Sequence, residues 1–324
     1  MFKTIAAAAF ASALFIGGAQ AQDFPTRQIT MVIPFAAGGP QDTVGRIFAQ
    51  RMGELLGQTM VVENVGGAGG MAGSKRVADA APDGYTLVLG SVGTHAQGQT
   101  LYKKPLYNAA TDFAPVAYLA FTPIAIIAKP DFPAKDFKEF VAYVKGHQSE
   151  MQYGSAGAGS ATHLACVVLN SAMGTPSVTH VPYKGSAPAM QDLIGGRIDY
   201  FCDLIATAKG LIDGGKVKPI AIMTKERSPV LPNLATTAEQ GLPVEAYSWS
   251  ALFAPKGTPP AIIKKLNAAA VEAIKTPAVQ ERLAGLGSTA AKPDEQSPEW
   301  LGKFVESEIK KWEAPIKASG ASID

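Results

Sequence analysis

Histidine, cysteine and net charge are what this chain has least of. The four histidines, His95, His147, His163 and His180, have no close pairing at metal-ligand spacing, and the two cysteines, Cys166 and Cys202, lack the company a zinc site needs. No metal and no other cofactor is therefore expected. Lys and Arg number 29 against 27 Asp and Glu, with no basic block, which argues against nucleic acid or an anionic membrane surface as a partner. Beyond the N-terminus no apolar run is long enough to cross a bilayer. Low-complexity tracts and tandem repeats are absent.

Catalytic signatures are missing too. Neither Gly-rich loop ends in the Lys-Ser/Thr of a phosphate-binding P-loop, and no serine sits in G-x-S-x-G. Gly67–Ala72 matches G-x-G-x-x-G/A, but the strand after it ends in Gly90-Ser91 and not in the acidic residue that would hold a ribose. Asp42 and Asp203 could pair as acid and base, yet nothing marks a partner nucleophile. The rival to a binding protein is an exported enzyme using one of those carboxylates, or a receptor fold turned sensor input.

What is present begins with an export signal. Met1-Phe-Lys3 is a short positive start, Thr4–Gly18 is apolar or small, and Ala19-Gln-Ala21 reads as a cleavage site. Residues 1–21 are read as a signal peptide, with a soluble mature chain from about Gln22. If the compartment is oxidising, a Cys166–Cys202 disulfide is permitted; the sequence equally allows two separately buried thiols.

The stretch Ile33–Asp42, I-P-F-A-A-G-G-P-Q-D, follows a buried strand and precedes a helix with Val44, Ile47, Phe48, Met52 and Leu55 at helical spacing. Such strand-to-helix loops are where open α/β sheets bind ligands, and paired glycines ahead of a helix N-terminus favour an anion. Strands at Thr59–Asn64 and Tyr85–Gly90 continue a βαβ pattern. Phe113–Leu119 and Pro123–Pro130 read as two strands leading away. A second α/β series runs from Asp136 to Thr224, with a Gly-rich loop at Ser155–Thr162. The chain returns through a strand at Tyr247–Ala254, a helix at Ile262–Ile274 and a last helix from Ser297 that ends near Pro315. The expected fold is α/β and two-lobed, with chain crossings near Pro123 and Tyr247. The lobes would be 22–123 with 248–324, and 124–247, hinged so as to close on a ligand.

Three loops at strand ends, Ala36–Asp42, Ser91–His95 and Ser155–Thr162, offer backbone N–H groups, hydroxyls and helix N-termini without Lys or Arg. That equipment can hold a carboxylate without a salt bridge.

At this point the chain resembles the extracytoplasmic solute receptors of tripartite tricarboxylate transporters, the Bug-type periplasmic receptors. The matching stretches are Val32–Asp42, Val61–Asn64 with Gly67–Gly70, Ala81–Leu87, Tyr153–Ser160 with His163–Ala165, His180–Gly185 and Phe253–Thr258. The resemblance implies a Venus-flytrap fold of the periplasmic-binding-protein type II-like kind, a periplasmic location, no catalysis, and a two-subunit membrane permease as partner. A monomer is expected. It also implies that a ligand carboxylate meets Ala36, Ala37, Gly38, Gly39 and Asp42 in the first lobe. The second lobe would contribute Ser155, Gly157, Ala158, Ser160 and Thr162, and the family's acidic position falls on Asp203. Ser91, Thr94 and His95 complete the expected set. Ala37 stands where many members have Pro, and Cys202 where Phe is common. The small loop residues suggest a small organic carboxylate, either an aliphatic dicarboxylate or an aromatic acid, with His95 and Tyr183 available to a larger ligand body.

Overall fold

The computed structural model describes residues 24–324; the expected signal peptide lies outside the described residues. The first unit is β1 (Ile29–Ile33), α1 (Pro40–Leu56), β2 (Met60–Asn64), α2 (Met71–Ala78) and β3 (Thr86–Gly90). β1 pairs in parallel with both β2 and β3, as right-handed βαβ connections require. A π-type turn, Gly93–Gln97, then leads into the short α3 (Gly98–Leu101). The Ser91–His95 segment expected as an open loop is thus wound up, and it is buried.

β4 (Phe113–Ala128) is one strand of sixteen residues, where two were expected. Pro115 and Pro123 suggested breaks. Both sit in register with β9 (Tyr247–Pro255), Pro115 opposite Phe253 and Pro123 opposite Tyr247, with the ladder shifting register just after Pro115. The first part of β4 pairs with β9; the last five residues pair with β7 (Tyr200–Leu204) and β8 (Lys218–Ile222). Between them lie α4 (Phe137–His147), β5 (Gln152–Ser155), α5 (Ala161–Met173), β6 (Thr179–Pro182), α6 (Ser186–Ile194) and α7 (Ile205–Asp213). After β9 come α8 (Pro260–Lys275), α9 (Pro277–Gly285), β10 (Thr289–Ala290) and α10 (Pro298–Ser319). The strand order is β2-β1-β3-β9-β4-β7-β5-β6, with β8 and β10 also on β4.

The last helix does not stop at Pro315. It runs four residues further, because Pro315 faces solvent, where the carbonyl it cannot bond is hydrated, while Ile316 docks the final turn in the core.

One core gathers β1, β3, the first part of β4, β9 and α8–α10; two smaller ones cover the faces of the β4–β8 sheet. Ala161 and Leu164 of α5 belong to the first of these, so the second half of the molecule plugs an apolar residue into the first. Cys166 and Cys202 form a disulfide that ties α5 to β7, settling the pairing that the sequence left open. Glu308 of α10 is buried and accepts from Tyr247 Oη at 2.8 Å and Trp249 Nε1 at 3.1 Å, fixing the last helix to the crossing strand.

Candidate functional site

A small, narrow cavity lies where the two halves meet. Gly39, Pro40 and Gln41 at the start of α1 form one wall, and Ala161 and Thr162 at the start of α5 another. Ser186, the first residue of α6, forms a third. Phe35, Ser91, Ala156, Leu204 and Ser248 complete the lining, in which there is no Lys or Arg. Three helix N-termini therefore converge on one small space. α1 and α6 start behind Gly39 and Gly185, and neither receives a side-chain cap, so the Gln41 N–H, next after Pro40, and the first N–H groups of α6 stay available and positively polarised.

The expected residues divide sharply. Gly39, Ser91 and Thr162 line the cavity. Ala36 does not: its N–H donates to the Lys184 carbonyl at 3.0 Å. Ala37 and Gly38 are exposed at the rim, and the Gly38 N–H donates to Asp42 Oδ2 at 3.0 Å. The reason is local. Gly38 takes the left-handed conformation, φ 77°, which folds the loop over the Asp42 carboxylate and leaves only Gly39 pointing inward. Asp42 also accepts from Arg46 Nε at 2.9 Å and Asn64 Nδ2 at 2.9 Å. Burial alone would raise its pKa, but these three donors more than offset that and hold it below the ordinary carboxylate value. Asp42 shapes the loop and does not face the cavity.

His95 and Thr94 are corrected in the same way. His95 is fully buried and stacks on Phe253 with ring centroids 4.1 Å apart, while Thr94 Oγ1 lies 2.9 Å from its Nδ1. Burial drops its pKa to about 3. An aromatic slot beside Phe113 and Phe253 captured a ring that the sequence left free to meet a ligand. Tyr183 does not reach the cavity either; its hydroxyl donates to Asp192 at 2.6 Å.

Ser155, Ser160, Gly157 and Ala158 build the second loop without lining the space. Ser155 Oγ accepts from the Gly157 N–H at 3.0 Å and sits 2.7 Å from His180 Nε2. His163 Nδ1 accepts from the Gly159 N–H at 3.2 Å, and the two imidazoles stack at 4.1 Å. Burial, with each other's proximity added at His163, lowers these histidines to about 3 and about 4. Both are neutral, as accepting a backbone N–H requires of His163. Ser160 caps α5 by accepting from the His163 N–H at 3.2 Å.

Asp203 is fully buried behind Ser186. Ser186 Oγ donates to its Oδ1 at 2.7 Å and Thr207 Oγ1 to its Oδ2 at 2.6 Å. Burial pushes its pKa up to about 6, with the hydroxyls and the Leu204 N–H pulling the other way.

A family model, the tripartite tricarboxylate transporter family receptor TctC, matches residues 44–321. The chain belongs to this family. Among solved TctC-like structures, the periplasmic binding protein BugD is 40% identical, covering 92% of this chain and 99% of its own, with a TM-score of 0.89. MatC from Rhodopseudomonas palustris, with bound malate, is 42% identical over 90% of this chain and 100% of its own, TM-score 0.88. Rpa4515 from R. palustris, with adipate, is 34% identical over 92% and 99%, TM-score 0.87. As a TctC receptor the protein is a periplasmic solute-binding protein with two-lobed architecture, and it is not an enzyme.

The seam around the TctC cavity is closed by backbone. A Cβ on Gly69 would lie 2.2 Å from the Ala158 carbonyl oxygen, one on Gly93 2.7 Å from the Ala161 nitrogen, and one on Gly185 2.8 Å from Ala36. Tyr102 Oη stands 2.8 Å from the carbonyls of both Ala68 and Ala158. Gln41 lines the cavity from within the marked Ala36–Asp42 loop though it was not singled out, and Ser186 and Ser248 line it although no motif marked them. For Ser248 a signal exists: Ser248 and Ser250 share one face of β9 while Tyr247 and Trp249 occupy the other, a polar stripe in an otherwise apolar strand.

Proposed function

We propose that this receptor captures a small aliphatic dicarboxylate in the cavity between its lobes and delivers it to a two-subunit membrane permease. It acts as a monomer, exported by residues 1–21 and released at about Gln22. In this reading the lobes are 22–123 with 248–324, and 124–247. The observation that carries the reading is the convergence of three helix N-termini on a space without a cationic side chain. Such a space suits an anion held by N–H groups and helix dipoles. The carboxylates would sit near Gly39, Gln41, Ser91 and Thr162. MatC with malate and Rpa4515 with adipate support the ligand class. The space between the lobes is narrow, and Phe35 is the one aromatic residue in its lining. Both favour an aliphatic over an aromatic acid.

A thermal-shift panel of carboxylates, amino acids, sugars and amines tests this. A dicarboxylate at about one hundred times its Kd stabilises by about 2.7 kcal/mol, several degrees for a chain of this size. A panel in which only sugars or amines shift the melt overturns the carboxylate reading. Loss of uptake of the same acid on deleting either the receptor or its permease genes tests delivery.

A further inference from the structure

Resting on the carboxylate reading above, we infer that the Ser186–Asp203 pair makes one wall of the cavity a hydrogen-bond acceptor, so that the receptor selects acids carrying a hydroxyl over the unsubstituted acids of the same length.

A serine hydroxyl has one proton and two lone pairs. The Ser186 proton is committed: its Oγ lies 2.7 Å from Asp203 Oδ1, and Asp203 has no exposed surface. The other carboxylate oxygen is taken by Thr207 at 2.6 Å. Asp203 is thus an acceptor with its own donors already in place, and an ionised carboxylate supplies no proton in return. What Ser186 shows the cavity is lone pairs, backed by a buried negative charge.

That side chain differs in kind from the helix starts around it. The first turns of α1, α5 and α6 itself present N–H groups, which suit a carboxylate oxygen. A carboxylate turned toward Ser186 would set lone pair against lone pair, near a second negative charge. A hydroxyl turned toward Ser186 donates to it, and a chain forms from ligand O–H to Ser186 O–H to Asp203. Each bond in such a chain polarises the next, most effectively where water is excluded. The site therefore sorts the ligand by chemistry: its acidic groups face the helix N–H groups, and its hydroxyl faces the Ser186 Oγ. One acceptor matches one O–H, whereas a primary ammonium brings three N–H donors; of the other lining hydroxyls, Ser91 is engaged with Thr94, Thr162 accepts from the Ala156 N–H and Ser248 is engaged with the Trp249 carbonyl. A hydroxyl is the better fit.

Calorimetry at pH 8 with matched acids is the test: succinate against malate, glutarate against 2-hydroxyglutarate, adipate against 2-hydroxyadipate, with aspartate as the ammonium control. The wild type is expected to bind the hydroxylated member of its preferred pair tighter by about tenfold, the scale of one well-made hydrogen bond. Ser186→Ala should bring that ratio to near one, mainly by weakening the hydroxylated acid. Asp203→Asn removes the buried negative charge behind Ser186, so it should narrow the ratio by strengthening the plain acid. Melting curves of both variants accompany the titrations, and either variant that folds suffices. Equal affinity within every pair in the wild type overturns the inference while leaving carboxylate binding intact, as does tighter binding of aspartate than of malate. A ratio unchanged in Ser186→Ala overturns it as well. Failure of all these acids to bind removes the carboxylate reading itself.

Discussion

Gly39 and Gly38 look alike in sequence and do opposite work. Gly38 carries the left-handed φ, while Gly39 has φ −82° and ordinary extended backbone. A Cβ on Gly39 meets nothing closer than 3.4 Å, so Gly39→Val is tolerated by the chain but extends into the cavity. We expect ligand affinity to fall by about tenfold or more, the scale of overpacking a filled site, with the unliganded melting point moving by only a few degrees. Calorimetry beside melting checks both; unchanged affinity would remove Gly39 from the site. Asp203 gives a pH signature. Its folded pKa of about 6 lies above the unfolded value near 3.8, so its contribution is fully present below the unfolded value and is lost as pH rises through 6. The loss is about 3 kcal/mol. Three histidines pull the other way. His95, His163 and His180 are lowered from 6.5 to about 3, about 3 and about 4, so they cost stability as pH falls below 6.5. The protein as a whole should therefore weaken in acid, and the Asp203 effect emerges only by difference. Asp203→Asn should gain on wild type by about 2.4 kcal/mol between pH 4 and pH 7.5. Urea melts across that range would show it, and a constant difference would mean that folding does not raise the pKa of Asp203.

At the scale of elements, the βαβ runs were legible because each combines a short apolar strand, an amphipathic helix and a Gly turn, and local physics decides all three. β4 was not, since its two prolines look like breaks until β9 is known to lie beside them. The site was half legible for a related reason. The loops Ala36–Asp42 and Ser155–Thr162 announce themselves by composition, but which of their atoms face inward depends on contacts far away in sequence, such as Lys184 against Ala36 and Phe253 against His95. Two elements invite direct tests. The disulfide fastens α5, which carries the second loop at its N-terminus, to β7, which carries Asp203. Its removal by Cys166→Ala with Cys202→Ala should lower stability by about 4 kcal/mol for a closed loop of this length, measured by urea denaturation. An effect below about 1 kcal/mol would mean that the loop is already ordered without it. The turn at Gly69 is the other. With φ 60° and a would-be Cβ 2.2 Å from the Ala158 oxygen, Gly69→Ala should hold the seam apart while each half stays folded. Solution scattering with saturating ligand should then show a larger radius than wild type, together with weaker binding. Closure to the wild-type radius would mean that the seam is softer than its backbone contacts imply.

For the whole molecule, the decisive feature is that β9 is wedged between β3 and β4. The sheet of β4–β8 can be completed once residue 246 has been made, because everything it pairs with lies between residues 124 and 246. The other sheet lacks its central strand, and the helices α8 and α10 that cover it, until nearly the last residue arrives. A chain that emerges N-terminus first therefore makes β1–β3 earliest and buries them last. Pairings so distant in sequence are slow to form, and apolar strands waiting for them are exposed to aggregation. A chain truncated after Ala246 should yield a protease-resistant core that begins near Ile124, while residues 24–120 are digested; uniform digestion would show that the later core cannot stand alone. Maturation is thus timed by the C-terminus: Ile29–Leu89 is expected to wait unburied until the chain is nearly whole, and losing even the final helix would spoil the part of the protein that was made first.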